Sequence, residues 1–149
     1  MSLESYGELM DDEEVADYLE RMGVGTLCMG NESGGYGIPM AFGYDRSANR
    51  CIFQLSFGED SLKTEFIEEG AVMSLSVFDW EAVDDWRSVV ARGTFHQIPT
   101  EENTVPAGIF ASYSKIASPE VFRQELRHLE FEWYELRVDD LTGRYMDGV

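Results

Sequence analysis

Apolar residues recur in this chain at two spacings, one typical of helices and one typical of strands. Within residues 12–22, apolar side chains fall at Val15 and then three, four and seven positions later, which places them on one face of a helix. Asp11 or Asp12 can cap the start of this segment, and Gly23 follows its end. The pattern predicts an amphipathic helix.

Much of the remaining chain alternates apolar with small or polar residues, or forms short apolar runs between turn signals, as β-strands do. The alternation is clearest in residues 71–79, where Met73, Leu75 and Val77 are separated by serines. The predicted strands cover residues 23–30, 36–45, 50–57, 71–79, 86–98 and 131–141.

Three further segments have helical spacing or helix-end signals, namely residues 59–70, 104–116 and 118–129. In the first, Leu62 and Phe66 are four residues apart, and Gly70 stands where a helix would stop. Asp60 or Ser61 can cap its start. We expect a short helix there and two helices late in the chain.

The predicted element order is helix, three strands, short helix, two strands, two helices and one strand. Turns join most of the strands, and helices do not alternate regularly with strands as they do in a parallel sheet. This order favours an antiparallel sheet closed as a small barrel over a doubly wound parallel sheet. The length of 149 residues fits a single domain over residues 1–149.

The charge of the chain limits its partners. It has 29 acidic and 11 basic residues, for a net charge of −18. Nucleic acids and anionic membrane surfaces both require a basic footprint, so neither is expected as a partner. Self-repulsion of this size destabilises a folded chain unless salt screens it, and only two of the 11 basic residues are lysines. We expect a halophilic protein, with an ordinary acidic protein as the alternative.

Targeting and metal-binding signals are not seen in the sequence. No apolar run approaches the roughly 18 residues of a membrane span, and the acidic first segment lacks the layout of a signal peptide, so we expect a cytoplasmic protein. Cys28 and Cys51 lie in apolar, strand-like segments, which predicts buried thiols. His96 and His128 have no paired ligands nearby, and no metal site is predicted.

Lys63 is one of the two lysines and falls in the first turn of the predicted short helix. Free backbone amides, the helix dipole and the hydroxyl of Ser61 would form a phosphate-sized anion site with it. The alternative is a surface lysine that pairs with Glu59 or Glu68. The residues alone leave both interpretations open.

Five segments together carry a family resemblance. In chain order they read GVGTLCM, YGIPMAFGYD, FGEDSLKTEF, DWRSVVARGTF and WYELRVDDLTGR. They resemble the first strand, the P-x-x-F-x-Y-D strand, the G-x-x-S-x-K turn, the tryptophan-led strand and the closing strand of the FMN-binding split-barrel proteins. These belong to the pyridoxamine 5′-phosphate oxidase-like superfamily. The chain looks closest to small haloarchaeal-type members that share a pattern with the nitroimidazole-reductase-like branch.

The resemblance implies a mainly β fold, a six- to seven-stranded antiparallel split β-barrel with short flanking α-helices. It implies that Ser61 and Lys63 contact the phosphate of FMN. It also implies that the backbone of Met40, Ala41 and Phe42 lies along the flavin ring.

The small residues Ala41 and Gly43 allow two interpretations from the sequence alone. They leave room for a flat aromatic ligand beside the sheet, or they are small because a helix packs on them.

In the resembled family the flavin lies at a dimer interface, which implies a homodimer. Trp86, Arg87 and Ser88 are then candidate flavin contacts from the second subunit, with Trp86 as a wall of the ring and Arg87 as a positive charge. Arg144 is a further candidate. Apolar residues such as Phe53, Leu75 and Trp133 are expected to be shared between the core and the partner.

The strand before the lysine turn departs from the family pattern. Many relatives carry a histidine there, whereas this chain has Gln54 and Ser56, which we include among the expected cofactor-binding residues. The resemblance implies an FMN-dependent oxidoreductase of an unidentified small molecule. The alternatives are a non-catalytic flavin carrier or redox sensor, and a reductase that uses the deazaflavin F420. We rank FMN ahead of F420 because the long acidic tail of F420 prefers a basic groove.

The charge generates a first prediction. We expect the melting temperature to rise from dilute to molar potassium chloride, because salt screens the repulsion between surface carboxylates. Thermal melts followed by circular dichroism measure this. A melting temperature that is flat or falls with salt would contradict the halophilic interpretation.

Overall fold

One antiparallel β-sheet organises the chain. The computed structural model describes residues 2–57, 63–115 and 130–148. The helices are α1 (Asp12–Met22), α2 (Lys63–Phe66) and α3 (Thr104–Tyr113). The strands are β1 (Glu8–Leu9), β2 (Val24–Asn31), β3 (Gly34–Ala41), β4 (Gly43–Asp45), β5 (Arg50–Phe57), β6 (Ala71–Ala82), β7 (Asp85–Gln97) and β8 (Glu130–Met146). Short 3-10 helices lie at Leu3–Ser5 and Thr100–Glu102.

The strands lie in the order β3-β2-β6-β7-β8-β5-β4, and β1 pairs with the far end of β8. Every pairing is antiparallel. The expected mainly β fold with flanking helices is therefore confirmed. In the described residues no ladder joins β3 to β4, so the barrel is split and not closed.

The predicted strand 36–45 is interrupted at Phe42. The backbone N–H of Phe42 donates to the carbonyl of Gly23 at 3.0 Å, in register with the β2–β3 ladder, and the next residue, Gly43, pairs with Ile52 of β5. The chain thereby passes from β3 to β4, which lie at opposite edges of the sheet. This single residue is where the sheet turns onto itself.

Helix α1 forms as the sequence predicts. The Asp11 carboxylate accepts from the N–H of Glu14 at 2.8 Å, and the Glu14 carboxylate accepts from the N–H of Asp11 at 3.2 Å, which completes a capping box. Gly23 ends the helix in the left-handed region with φ 63°. Val15, Tyr18 and Leu19 are buried against the sheet.

The bounds of other predicted elements can be compared with the structure. The acidic segment 79–85, where the predicted strands 71–79 and 86–98 leave a loop, is mainly strand, because Asp79 pairs with Arg87 and the ladder continues to Ala82 and Asp85. The predicted helix 104–116 is confirmed as α3. The predicted helix 118–129 and the capping residues Asp60 and Ser61 lie outside the described residues.

The core lies between the inward face of the sheet and α1. Met73, Leu75 and Val77 point into it, as their alternation predicts. Cys51 is fully buried, and burial raises the pKa of its thiol. Cys28 is only half-buried, so the prediction of two buried thiols is right for Cys51 and wrong for Cys28.

An ion-pair cluster joins β4, β5 and β8 beside the core. Arg50 donates to the buried carboxylates of Asp45 at 2.9 Å and Glu135 at 2.6 Å, and Arg137 donates to Glu135 at 2.6 Å. Burial by itself would raise the pKa of both carboxyls, but these hydrogen bonds, with one from Ser47 to Asp45, outweigh it. The pKa of each carboxyl is lowered. Arg50 therefore compensates two charges that the fold has removed from water.

No helix in the described part of the chain is both long and apolar enough to cross a membrane. The same residues contain no group of three or more potential metal ligands.

The cluster generates a second prediction. Arg50→Met should lower the free energy of unfolding by about 3 kcal/mol at neutral pH, because it leaves a buried carboxylate uncompensated. In the wild type, the lowered pKa values stabilise the fold above the ordinary values of 3.8 and 4.5, and this contribution is lost as the pH falls through the folded values. The difference between variant and wild type should therefore shrink below about pH 4.

Arg137→Met is the matched control. It also removes one guanidinium from Glu135, but the Arg137 side chain is 61% exposed, so the loss should be below about 1 kcal/mol. Denaturant titrations at several pH values measure both variants. Equal losses at neutral pH would show that burial of the cluster does not matter.

Candidate functional site

The outer face of β2, β6 and β7 is lined by small side chains. Register places Thr26 opposite Ser76 and Cys28 opposite Ser74, and Ser76 lies opposite Val90 on β7. All of these side chains are half-buried, whereas their neighbours in sequence point into the core. In the described residues no helix covers this face.

Large apolar side chains flank this face and are exposed. Val72, Phe78 and Trp80 on β6 have relative exposures of 57%, 60% and 51%. They share the outward direction of Ser74 and Ser76, because alternate residues of a strand face the same side. An apolar strip on an uncovered sheet face is typical of an interaction or ligand surface.

Two adjoining depressions in this face, which we call the outer groove, have volumes of about 260 and 300 Å³. Leu3, Ser88 and Val90 line both. Ser2, Ser76 and Phe78 complete the smaller depression, and Leu9, Asp140, Thr142, Gly143 and Arg144 complete the larger one. Ser88, expected from the resemblance, and Arg144 are direct register partners here.

Trp86 and Arg87 differ from Ser88 in their surroundings. Trp86 is only 1% exposed, between its register neighbours Trp80 and Met146. Arg87 precedes Ser88 on the strand and faces the opposite side of the sheet. The structure therefore does not bring these three predicted residues to one surface within a single chain.

Carboxylates surround the Arg87 guanidinium. Its nitrogens lie 3.1 Å from Asp147, 3.6 Å from Asp79 and 3.9 Å from Asp85. The hydroxyl of Tyr18 on α1 donates to Asp79 at 2.7 Å, and burial together with this bond raises the tyrosine pKa. The positive charge of Arg87 is thus already compensated by the chain itself.

Helix α3 occupies the space beside Gly43. A Cβ atom at Gly43 would lie 2.8 Å from the carbonyl oxygen of Ile109 and 2.9 Å from the Cα of Phe110. Ala41 packs against the small apolar cluster that contains Phe110. The packing interpretation is therefore confirmed for Gly43, and the interpretation as room for a flat ligand is wrong there.

Lys63 is the first described residue of α2. Ser61 lies outside the described residues. Ser56 and Gln54 lie on β5, where they pair with Phe131 and Trp133 of β8.

The predicted site residues divide between the two ends of the sheet. Met40 pairs with Gly25 at one end of β2, whereas α2 is bonded to Asn31 at the other end. Six residues of strand, about 20 Å, separate Gly25 from Asn31. Phe42 follows at the Met40 end and is fully buried.

The residues expected to be shared with a partner are placed differently from the prediction. Phe53 and Leu75 are fully buried in the chain's own core. Trp133 packs edge-on against Phe110 of α3, with ring centroids 5.3 Å apart. The assignment of Phe53 and Leu75 to a partner surface is wrong, because their strand positions face inward.

Sequence reasoning missed Leu3, Ser76 and Val90 as groove residues. Alternation around Met73 and Leu75 gave the outward direction of Ser76. It did not show that the described helices would leave this face open, because that depends on where the helices pack.

Sequence comparison assigns the chain to a family. The family profile described as pyridoxamine 5′-phosphate oxidase matches residues 11–145. The chain belongs to this family. No curated protein sequence is significantly similar to it.

Solved structures with the same fold include proteins from several bacteria. A FAD-binding protein from Mesorhizobium loti has a TM-score of 0.70 and 15% identity over 95% of this chain and 97% of its own. The FAD binding protein from Mycobacterium smegmatis has a TM-score of 0.68 and 15% identity over 95% and 100%. A putative 5-nitroimidazole antibiotic resistance protein from Bacteroides thetaiotaomicron has a TM-score of 0.60 and 17% identity over 91% and 85%. These identities establish a shared fold.

Proposed function

We propose that this family member binds a flavin between the outer groove and the α2 end of the sheet, and acts as an oxidoreductase on a small molecule. The observation that carries the proposal is the small-residue outer face, which none of the described helices covers, in a fold shared with two proteins described as FAD-binding. When bound, the flavin supplies the electron transfer, and the chain supplies binding and orientation.

FMN is the proposed cofactor, because a phosphate is the group that Lys63 at the start of α2 would recognise. FAD is the second candidate, supported by the two fold neighbours described as FAD-binding. F420 is the third, disfavoured by the net charge of −18 against its acidic tail. An absorbance spectrum of the purified protein, with mass analysis of the molecule released on denaturation, separates the three.

In this proposal the ring of the flavin lies at one end of the sheet and its phosphate lies at the other. The backbone of Met40, Ala41 and Phe42 lies along the ring, and Ser61 with Lys63 binds the phosphate. Gln54 and Ser56 of β5 are the other proposed cofactor contacts of this chain.

A second chain completes the site in this proposal. Of the expected partner residues Trp86, Arg87 and Ser88, we propose Ser88, which lines the outer groove, as the direct flavin contact, since Trp86 is buried and Arg87 faces the other side of the sheet. Arg87 would have to exchange a carboxylate partner to meet the phosphate, because three carboxylates already surround it. The homodimer is supported by the exposed strip of Val72, Phe78 and Trp80.

A flavin carrier or redox sensor is the alternative to an enzyme. Among the described residues that line the outer groove, Asp140 is the only carboxylate, and no histidine is present. Reduction of the bound flavin by NADH or NADPH, followed by turnover with a small-molecule acceptor, would support the enzyme. Reduction without turnover across acceptor classes would support the carrier.

The exposed strip generates a third prediction. The native protein should sediment at twice 16.9 kDa in molar salt, and Phe78→Glu should shift it toward the monomer because a carboxylate would be buried at the interface. Val105→Glu is the control, since Val105 on α3 is also exposed and apolar. A native monomer that still holds flavin would refute the shared site.

The lysine generates a fourth prediction. Lys63→Ala should weaken FMN binding by about ten- to a hundredfold, because a charge-assisted phosphate contact contributes about 1.5–3 kcal/mol. Lys115→Ala removes the same charge from an exposed position after α3 and should bind as the native protein does. Titration of FMN into the apo-proteins, followed by fluorescence quenching, compares them. Equal affinities for the two variants would mean that Lys63 is a solvated surface charge.

A further inference from the structure

Arg144 stands in a row of outward side chains that crosses four strands. Register sets Ser88 of β7 opposite Arg144 of β8. On the β6 side Phe78 lies opposite Ser88, and on the β1 side Leu9 lies opposite the arginine. Cross-strand partners share a face of the sheet, so this row brings one cation together with a hydroxyl and two large apolar side chains. All four residues line the outer groove.

Small and apolar side chains form the next row of the groove. Thr142 lies opposite Val90, and Val90 lies opposite Ser76. Leu3 lines both depressions beside this row. The larger depression, about 300 Å³, reaches the lower end of the volumes that small-ligand pockets have. The groove therefore offers an apolar surface for the body of a small molecule.

The charge of Arg144 is not neutralised by the chain. In the part of the chain that the structure describes, no carboxylate pairs with this guanidinium, which donates from Nη1 to the carbonyl oxygen of Gly7 at 3.4 Å. Other arginines are paired with carboxylates, namely Arg46, Arg50, Arg87 and Arg137. In a chain of net charge −18, a half-buried cation with one long bond to a neutral oxygen is available to an added anion.

The carboxylate among the described groove residues lies away from Arg144. Asp140 and Arg144 are four residues apart on β8, which is about 13 Å along a strand. Thr142 lies between them on the same face. A negatively charged ligand would therefore have its acidic group at Arg144 and its uncharged body toward Thr142 and Val90.

We propose that the outer groove binds a small organic carboxylate, with the Arg144 guanidinium on the carboxylate and the side chains of Leu3 and Val90 on its apolar body. The planar fork of a guanidinium matches the two oxygens of a carboxylate, and its single charge balances that of the ligand. Ser88, the proposed flavin contact, is the register partner of Arg144, so a carboxylate held there lies beside the flavin. The inference names the substrate class of the proposed oxidoreductase and, for turnover, rests on that proposed function.

The test compares 2-naphthoate with 2-naphthamide, which has the same rings and no charge, and with 2-naphthyl phosphate, which is a dianion. Dissociation constants are measured by isothermal titration calorimetry at one salt concentration, on the purified protein with its flavin and after removal of the flavin. The variants are Arg144→Ala, Arg144→Lys and Arg92→Ala. Arg92 is the matched control, because it is exposed on the same face, has no carboxylate partner among the described residues and lines neither depression.

We expect the native protein to prefer naphthoate over naphthamide by about tenfold, the contribution of one charge-assisted bond. Arg144→Ala should abolish this preference and leave naphthamide binding unchanged, which would show that the groove is intact. Arg144→Lys keeps the charge without the planar fork and should retain a preference of about threefold. Arg92→Ala should keep the native preference. Naphthyl phosphate should bind no more tightly than naphthoate, because one guanidinium leaves its second charge uncompensated.

Four results would each overturn the inference and leave the proposed function in place. The first is equal affinity of the native protein for naphthoate and naphthamide. The second is an equal loss of preference in Arg92→Ala and Arg144→Ala, which would reflect the general charge of the face. The third is tighter binding of naphthyl phosphate, and the fourth is naphthoate binding that bound flavin abolishes, since the groove would then hold a part of the cofactor.

The proposed function fails in a different way. A naphthoate preference that depends on Arg144, in a protein that takes up no flavin, would overturn the flavin proposal and leave the carboxylate site in place.

Discussion

The register between β6 and β7 is the constraint on which the rest of the structure depends. Leu75 opposite Ala91 and Val77 opposite Val89 fill the core, and the residues between them face outward. A slip of one residue would exchange the two faces and place serines in the core. The core, the outer groove and the apolar strip therefore follow from one pairing. A hairpin turn of two residues, together with the register shift between Trp80 and Ala82, sets that pairing.

The elements that depend on local signals could be predicted from the sequence, and those that depend on distant packing could not. Asp11 and Gly23 mark the ends of α1 by chemistry that acts within a few residues, and the alternation around Leu75 gave the inward face of β6. Gly43 is different, because its size is explained by α3, which lies more than 60 residues away in the chain. The break at Phe42 is likewise invisible in the local pattern, because the residues on its two sides pair with different strands, β2 and β5, in the folded sheet.

Less of the candidate site than of the fold could be predicted from the sequence. The reason is electrostatic, because the sequence does not show which cations are already paired. Arg87 looked available as a cation in the sequence, yet the fold surrounds it with carboxylates from three places in the chain. Arg46 and Arg50 are also paired with the chain's own acids. In a protein of net charge −18, carboxylates far outnumber the cations that they can pair with. The availability of a positive charge is therefore decided by tertiary structure, and a motif alone identifies only candidates.

The two cysteines differ in burial, and this difference provides a natural chemical probe of the outer face. Cys51 is enclosed by the core, and its raised pKa keeps it protonated and inert toward alkylating reagents. Cys28 lies half-buried on the outward side of β2, directly opposite Ser74. A thiol-directed probe should therefore label one position, on the same face that carries Val72 and Phe78. The rate of labelling then measures how much of the time that face is covered, in an unmodified chain.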